Sequence, residues 1–191
     1  MSYLVKEIKP HFERTIDPLL SVLAKVRINP NAITLLGFLL VMVGSVFLYI
    51  HMHSWGLIFL SLGGLADAID GALARKSGKE SEFGAFLDSL IDRFSDALPF
   101  IAISLSSKQE YISILSLLAL IFSFGVSYAR ARAEGLGYKL NVGIFERTER
   151  WLTLLLGLLI DMIDTALLII LIGSFLTVVQ RVYAFKNRIS S

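Results

Sequence analysis

The chain contains no cysteine among its 191 residues. Disulfide staples, thiol nucleophiles and thiolate metal sites are therefore excluded. Charge is also scarce: Asp, Glu, Lys and Arg make up 18% of the residues, against about 25% in ordinary soluble domains. Hydrophobic residues reach 55% and the mean hydropathy is +0.69, so composition alone points to a membrane protein. No Ser/Gly linker, low-complexity tract or clear internal repeat divides the chain, which favours one domain over 1–191. The opening MSYLVKEIKPHFERTIDPLL has no uninterrupted apolar core followed by a cleavage site, so no secretory signal peptide is expected there. No nucleic-acid partner is expected either.

What is present is a series of long apolar runs. A bilayer core of about 30 Å needs roughly 20 mainly apolar residues in a helix. Ala32–Ile50 and Tyr111–Tyr128 are uncharged throughout, and Trp55–Arg75 is uncharged until Asp67. A further run starts near Gly84, carries Asp88, Asp92 and Asp96, then turns apolar through Ser107. Another begins near Phe145 and continues through WLTLLLGLLIDM, and the last covers Thr165–Val179 before a basic helix end. The expected fold is all-α: a polytopic six-helix bundle over 30–188, preceded by a juxtamembrane helix over 1–29. In that first helix Leu4, Val5, Ile8, Phe12, Ile16, Leu19, Leu20 and Leu23 alternate with Lys6, Lys9 and Arg14. This pattern suits an amphipathic helix lying on the membrane surface, with breaks expected at Pro10 and Pro18.

The basic residues orient the bundle. Of the 18 lysines and arginines, only Lys108 falls in the segments His51–Ser54, Ser107–Glu110 and Asp161–Asp164. By the positive-inside rule both termini are cytoplasmic, in a multi-pass protein of the cell membrane. The polar stretches Asp67–Arg75, Asp88–Asp96, Arg130–Glu134, Glu146–Arg150 and Gln180–Arg188 then reach the same, cytoplasmic leaflet. An ionisable group at the bilayer centre costs about 2.5–3.5 kcal/mol on insertion scales, and such groups usually face a bundle interior or water. Several at one depth indicate a site.

Asp67 and Asp70 are three residues apart, and Asp88 and Asp92 four apart. On helices these spacings put each pair on one face. The connection RKSGKESEF is short enough to make the two helices antiparallel neighbours, so the pairs can converge. Four carboxylates repel one another unless divalent cations join them. All-oxygen ligation suits Mg²⁺ or Mn²⁺, and two such ions can clamp a diphosphate during in-line displacement. Gly71 and Ala74 follow the first pair with almost no side chain, which lets a nucleotide lie against the helix. Tight helix packing is the other use for Gly71 and Gly84. Asp96, one turn beyond Asp92, is expected to pair with Arg93 or a neighbouring helix.

The spacing Asp67-x-x-Asp70-Gly71-x-x-Ala74-Arg75, followed by Gly84-x-x-x-Asp88-x-x-x-Asp92, resembles the signature of the CDP-alcohol phosphotransferases at all eight positions. The resemblance implies a CDP-linked lipid as donor, an alcohol as acceptor and CMP as product. It implies two metal ions per active site, one held by Asp67, Asp70 and Asp88, the other by Asp67, Asp88 and Asp92. Asp92 would also take the proton from the attacking hydroxyl. Gly71, Ala74, Arg75, Ser81 and Gly84, with Asn31, Ala32, Ile33 and Thr34 of the NAIT stretch, resemble the family's CDP-lipid contacts. Thr34 and Ser81 also fit the commoner role of hydroxyls at helix starts, that of caps. A homodimer is implied by the family alone.

A second constellation carries the acceptor. Arg130, Arg132, Arg147, Arg150 and Arg181 all fall at cytoplasmic helix ends, forming a cluster expected to face the metal site. Arginine forks match phosphate oxygens bidentately, so a phosphorylated polyol acceptor is expected. Arginines at helix ends also anchor to lipid headgroups. Glu134, Glu146 and Glu149 interleave with them. RARAE and ERTER resemble the inositol-phosphate branch of the family, with L-myo-inositol 1-phosphate as acceptor, although that branch carries KARAE where this chain has Arg130. Glycerol 3-phosphate is the alternative acceptor. A divalent-cation transporter is the reading from another class, and the far halves of the spans offer it no continuing polar path.

Overall fold

A computed structural model describes residues 3–189, and all regular structure among them is helical. The helices are α1 (Tyr3–Lys25), α2 (Pro30–Tyr49), α3 (His53–Ser77), α4 (Glu82–Ser106), α5 (Glu110–Gly135), α6 (Arg147–Leu159) and α7 (Ile163–Ile189). Four of them, α2, α3, α5 and α7, are long and apolar enough to cross a membrane. They expose large apolar side chains along their length, among them Leu39, Val46, Ile121 and Ile172. A water-soluble fold would bury such a surface; a bilayer covers it. The helix α4 has the length for a span but carries Asp88, Asp92, Arg93 and Asp96. The helix α6 has 13 residues, which rise only about 20 Å at 1.5 Å each.

Backbone contacts divide the chain into two compact units. One runs Glu7–Ala102; the other comprises the residues from Ile103 onward and the first turn of α1.

The seam of the first unit is α2 against α3. Apolar helices in lipid gain nothing from the hydrophobic effect on meeting, so close approach through small residues takes its place. Glycines supply it here: a Cβ on Gly63 would come within 3.0 Å of Gly37 O, and one on Gly56 within 3.3 Å of Gly44 O. The helix α2 begins at a capped terminus, with Pro30 in its first turn and the Asn29 side chain accepting the Asn31 N–H at 3.0 Å. The helix α3 ends at Gly78 in the left-handed region (φ 64°), whose N–H bonds to Arg75 O while Lys79 N–H bonds to Ala74 O. The Ser81 hydroxyl then accepts the Gly84 N–H and opens α4.

The helix α1 packs on the C-terminal end of α3. Leu20 is buried with Ala72 and Leu73, and Ile16, Leu23 and Ala24 join the same cluster. The helix is continuous through Pro10 and Pro18, where the sequence suggests breaks. A helical proline removes one hydrogen bond and crowds the preceding turn. Contacts on both sides of Pro18 hold the helix together: Glu13 pairs with Arg75 before it, and Ser21 accepts from Lys76 after it. Lys79 ties the turn after α1 to the connection between α3 and α4 by donating to Arg27 O at 3.1 Å and Ile28 O at 3.3 Å.

In the second unit α5 and α6 both pack on α7. The segment between α5 and α6 is pinned along α7. Thr177 Oγ1 accepts the Phe145 N–H at 3.0 Å, Gln180 Oε1 accepts the Ile144 N–H at 3.2 Å, and the Phe145 ring fills the space beside Gly173. Glu146 and Glu149 form a reciprocal capping box that starts α6.

Candidate active site

The first unit assembles the acidic cluster from two helices. Oxygens of Asp67 on α3 and of Asp88 and Asp92 on α4 all lie within 4.8 Å of one another. Asp70, one turn along from Asp67, sits close enough to Asp67 and Asp88 to feel both charges, with the Thr34 hydroxyl beside it. Asp70 is 4% exposed, and its Oδ2 has no hydrogen-bond partner among the described residues. A buried acceptor without a donor is costly. Three converging carboxylates and a fourth with a dry, unbonded oxygen fit a hard divalent cation, which takes oxygen ligands and balances their charge. Arg93 reaches Asp92 at 3.5 Å, and Asp96 is buried.

Of the residues expected to contact the nucleotide, Gly71 and Thr34 lie beside Asp70. Gly71 faces open space: a Cβ there would meet only Arg75 Nη1, at 3.5 Å. Tight packing therefore does not account for it. Gly84 is different, since a Cβ would come within 3.0 Å of Ser81 Oγ and 3.2 Å of Asn31 Oδ1. It is the close meeting of α4's first turn with the start of α2. Thr34 is buried and donates to Pro30 O at 3.2 Å, and Ser81 caps α4, so both hydroxyls have the local roles their positions allow. Ala32 and Ile33 lie in the first turn of α2, with Ile33 packed toward the Leu20 cluster. Ala74 lies in the last turn of α3.

The second unit gathers part of the arginine set. Arg181 of α7 lies within electrostatic reach of Arg130, Arg150, Glu134 and Glu146. Arg181 is 2% exposed. Its Nε donates to Val142 O at 2.9 Å, its Nη1 to Val126 O, and its Nη2 to Glu146 at 3.3 Å. Arg150 is buried at the start of α6, and Arg130 pairs with Glu134 at 3.0 Å. Arg147 stands over the Trp151 ring, and Arg132 is exposed on the last turns of α5.

Residues 27–184 match the model of the CDP-alcohol phosphatidyltransferase family. The chain belongs to that family. It is 51% identical over 190 residues to an uncharacterized protein of Aquifex aeolicus, covering 98% of this chain and 97% of that one. It is 37% identical over 187 residues to an archaetidylinositol phosphate synthase of Pyrococcus horikoshii, covering 97% of this chain and 98% of the other. The crystal structure of Mycobacterium tuberculosis phosphatidylinositol phosphate synthase with CDP-DAG bound superposes with a TM-score of 0.83 at 27% identity, over 90% of this chain and 94% of that one. The same mycobacterial enzyme in complex with manganese and citrate gives a TM-score of 0.80 at 28% identity, over 88% and 87%. This CDP-alcohol phosphotransferase is thus a membrane transferase of phospholipid biosynthesis, similar to phosphatidylinositol phosphate synthases.

Two contacts of residues singled out above escape the sequence reading. One is the ion pair between Arg75 and Glu13, at 2.7 Å. Glu13, Asp17 and Ser21 recur every four residues and so share one face of α1, which marks a polar face without naming its partner. The other is the hold on Arg181, whose partners Val126 O and Val142 O are main-chain carbonyls that no residue pattern marks.

Proposed function

We propose that this enzyme transfers a phosphatidyl or archaetidyl group from a CDP-linked lipid to L-myo-inositol 1-phosphate and releases CMP. The observation that carries this reading is the meeting of Asp67, Asp88 and Asp92 oxygens within 4.8 Å, beside the open face of Gly71. Asp67, Asp70 and Asp88 would hold one divalent ion, and Asp67, Asp88 and Asp92 a second. When bound, Mg²⁺ or Mn²⁺ supplies charge stabilisation for a diphosphate undergoing in-line displacement.

The chain's own groups do the rest. Gly71 admits the diphosphate to the helix surface, with Arg75 above it and Asn31, Ala32, Ile33, Thr34, Ala74, Ser81 and Gly84 shaping the CDP subsite. The acceptor hydroxyl attacks the lipid-side phosphorus, the bond to the CMP oxygen breaks, and Asp92 takes the hydroxyl proton. Arg130, Arg132, Arg147, Arg150 and Arg181 are assigned to the acceptor's phosphate, supported by the gathering of Arg130 and Arg150 around Arg181. The names of relatives such as the Pyrococcus synthase support inositol phosphate as the acceptor.

The family match spans both compact units, which supports reading 1–191 as one domain. In this reading α4 and α6 complete six spans, the exposed Leu19 and Val22 of α1 and Val26 just after it rest on the inner leaflet, both termini and the active site are cytoplasmic, and the enzyme is a homodimer. The test is CMP release from CDP-diacylglycerol and from CDP-archaeol with inositol 1-phosphate, inositol or glycerol 3-phosphate, each with and without Mg²⁺. Turnover only with inositol 1-phosphate and metal is expected. Equal turnover with free inositol would remove the phosphate-binding role of the arginines, and turnover with glycerol 3-phosphate instead would reassign the acceptor.

A further inference from the structure

Arg75 is the one cation of the aspartate signature. Its guanidinium folds back along α3, as helical side chains do, and Nη1 stands 3.5 Å from the point a Gly71 Cβ would occupy. The adjacent Nη2 donates to Glu13 Oε1 at 2.7 Å. One edge of the fork is thus held by α1 while the other lies over the bare stretch of helix beside the aspartates.

The helix that supplies Glu13 is itself anchored. Lys76 donates to Asp17 Oδ1 at 2.5 Å, to Asp17 O at 3.1 Å and to Ser21 Oγ at 2.7 Å, which uses all three of its N–H groups. Leu20 is sealed against Ala72 and Leu73 one turn further on. Two neighbouring cations of α3 therefore have separate tasks: Lys76 fastens α1, and α1 presents Glu13 to Arg75. A helix that only rested on the membrane would need none of this registry.

We propose that Glu13 is a positioning residue for nucleotide binding. It holds the Arg75 fork over Gly71 before the CDP-lipid arrives, so that the diphosphate meets a donor already in place. Preorganisation of this kind lowers the ordering cost of binding. The ligand class is the diphosphate of a CDP-linked lipid, so the inference rests on the function proposed above. It adds a residue outside the signature and gives α1 a role in the site.

The experiment compares the full-length wild type with Glu13→Ala and Glu13→Asp in the Arg75 and Arg75→Lys backgrounds. It uses CDP-diacylglycerol, inositol 1-phosphate and Mg²⁺, with melting temperatures measured in parallel. Both side chains are partly exposed, so the expected rise in KM for the CDP-lipid in Glu13→Ala is about two- to fivefold. The kcat and the acceptor KM should stay unchanged, the melting temperature should fall only slightly because an exposed ion pair contributes little, Glu13→Asp should recover part of the loss, and Glu13→Ala should add nothing in Arg75→Lys. An unchanged donor KM in an active enzyme overturns the assignment alone, as does an equal rise in the Arg75→Lys background. A wild type that releases no CMP with any acceptor overturns the functional reading and this assignment with it.

Discussion

Gly63 of α3 and Val41 of α2 are in such close register that a methyl group on the glycine would lie 2.6 Å from Val41 Cγ2. The same seam ends at the site. A Cβ on Gly37 would meet Ala66 Cβ at 3.1 Å and the Asp67 N at 3.7 Å. Helix spacing and the placement of the first carboxylate of the acidic cluster are therefore one geometric fact. Replacing Gly63 with valine forces the helices apart. It should cost about 1–3 kcal/mol of stability, seen as a lower melting temperature in detergent, together with a fall in CMP release. An unshifted melting temperature would show that the seam is looser than described.

Gly71 should behave in the opposite way. An alanine there meets only the end of the flexible Arg75 side chain, at 3.5 Å, so stability should change by no more than about 0.5 kcal/mol. The added methyl would occupy the surface assigned to the diphosphate, and small displacements of a reacting group can cost up to about a hundredfold. The expected result is a well-folded protein with a donor KM raised tenfold or more and an unaltered acceptor KM. Normal kinetics would remove Gly71 from the nucleotide subsite.

Asp92 has two assignments, and one substitution separates them. Asparagine keeps an oxygen toward the metal but cannot take a proton from the acceptor. Asp92→Asn should lower CMP release by about 10²–10⁴-fold while metal-dependent binding of the CDP-lipid, measured by calorimetry, largely persists. Undiminished turnover would exclude Asp92 as the base. Loss of lipid binding would make it chiefly a ligand.

Arg132 offers the cleanest test of the acceptor side because it is exposed. A hydrogen bond to a charged group contributes about 1.5–3 kcal/mol. Arg132→Gln should therefore raise the inositol 1-phosphate KM about tenfold or more, leaving the donor KM and the melting temperature alone. An unchanged acceptor KM would return Arg132 to the role of a headgroup anchor.

The aspartates were legible in the sequence because helical periodicity converts spacing into a shared face, and a short connection brings two such faces together. Asp67, Asp88 and Asp92 needed nothing more. The apolar runs gave helix positions for the same reason. The prolines misled: the helix runs unbroken through Pro10 and Pro18, and around Pro18 it is tied to α3 on both sides. The length of α6 was also hidden: hydrophobicity continues from Trp151 to Met162, yet the capping box at Glu146 and the positive φ of Asp161 bound a helix of 13 residues. The tether between Glu13 and Arg75 joins residues 62 positions apart, and no local period encodes a partner at that distance.

Lys79 bonds to the carbonyls of Arg27 and Ile28, not to their side chains. A carbonyl is the one acceptor that no ordinary substitution removes. The tie from Lys79 is thus indifferent to which side chains stand at 27 and 28, and only a change at Lys79 itself undoes it.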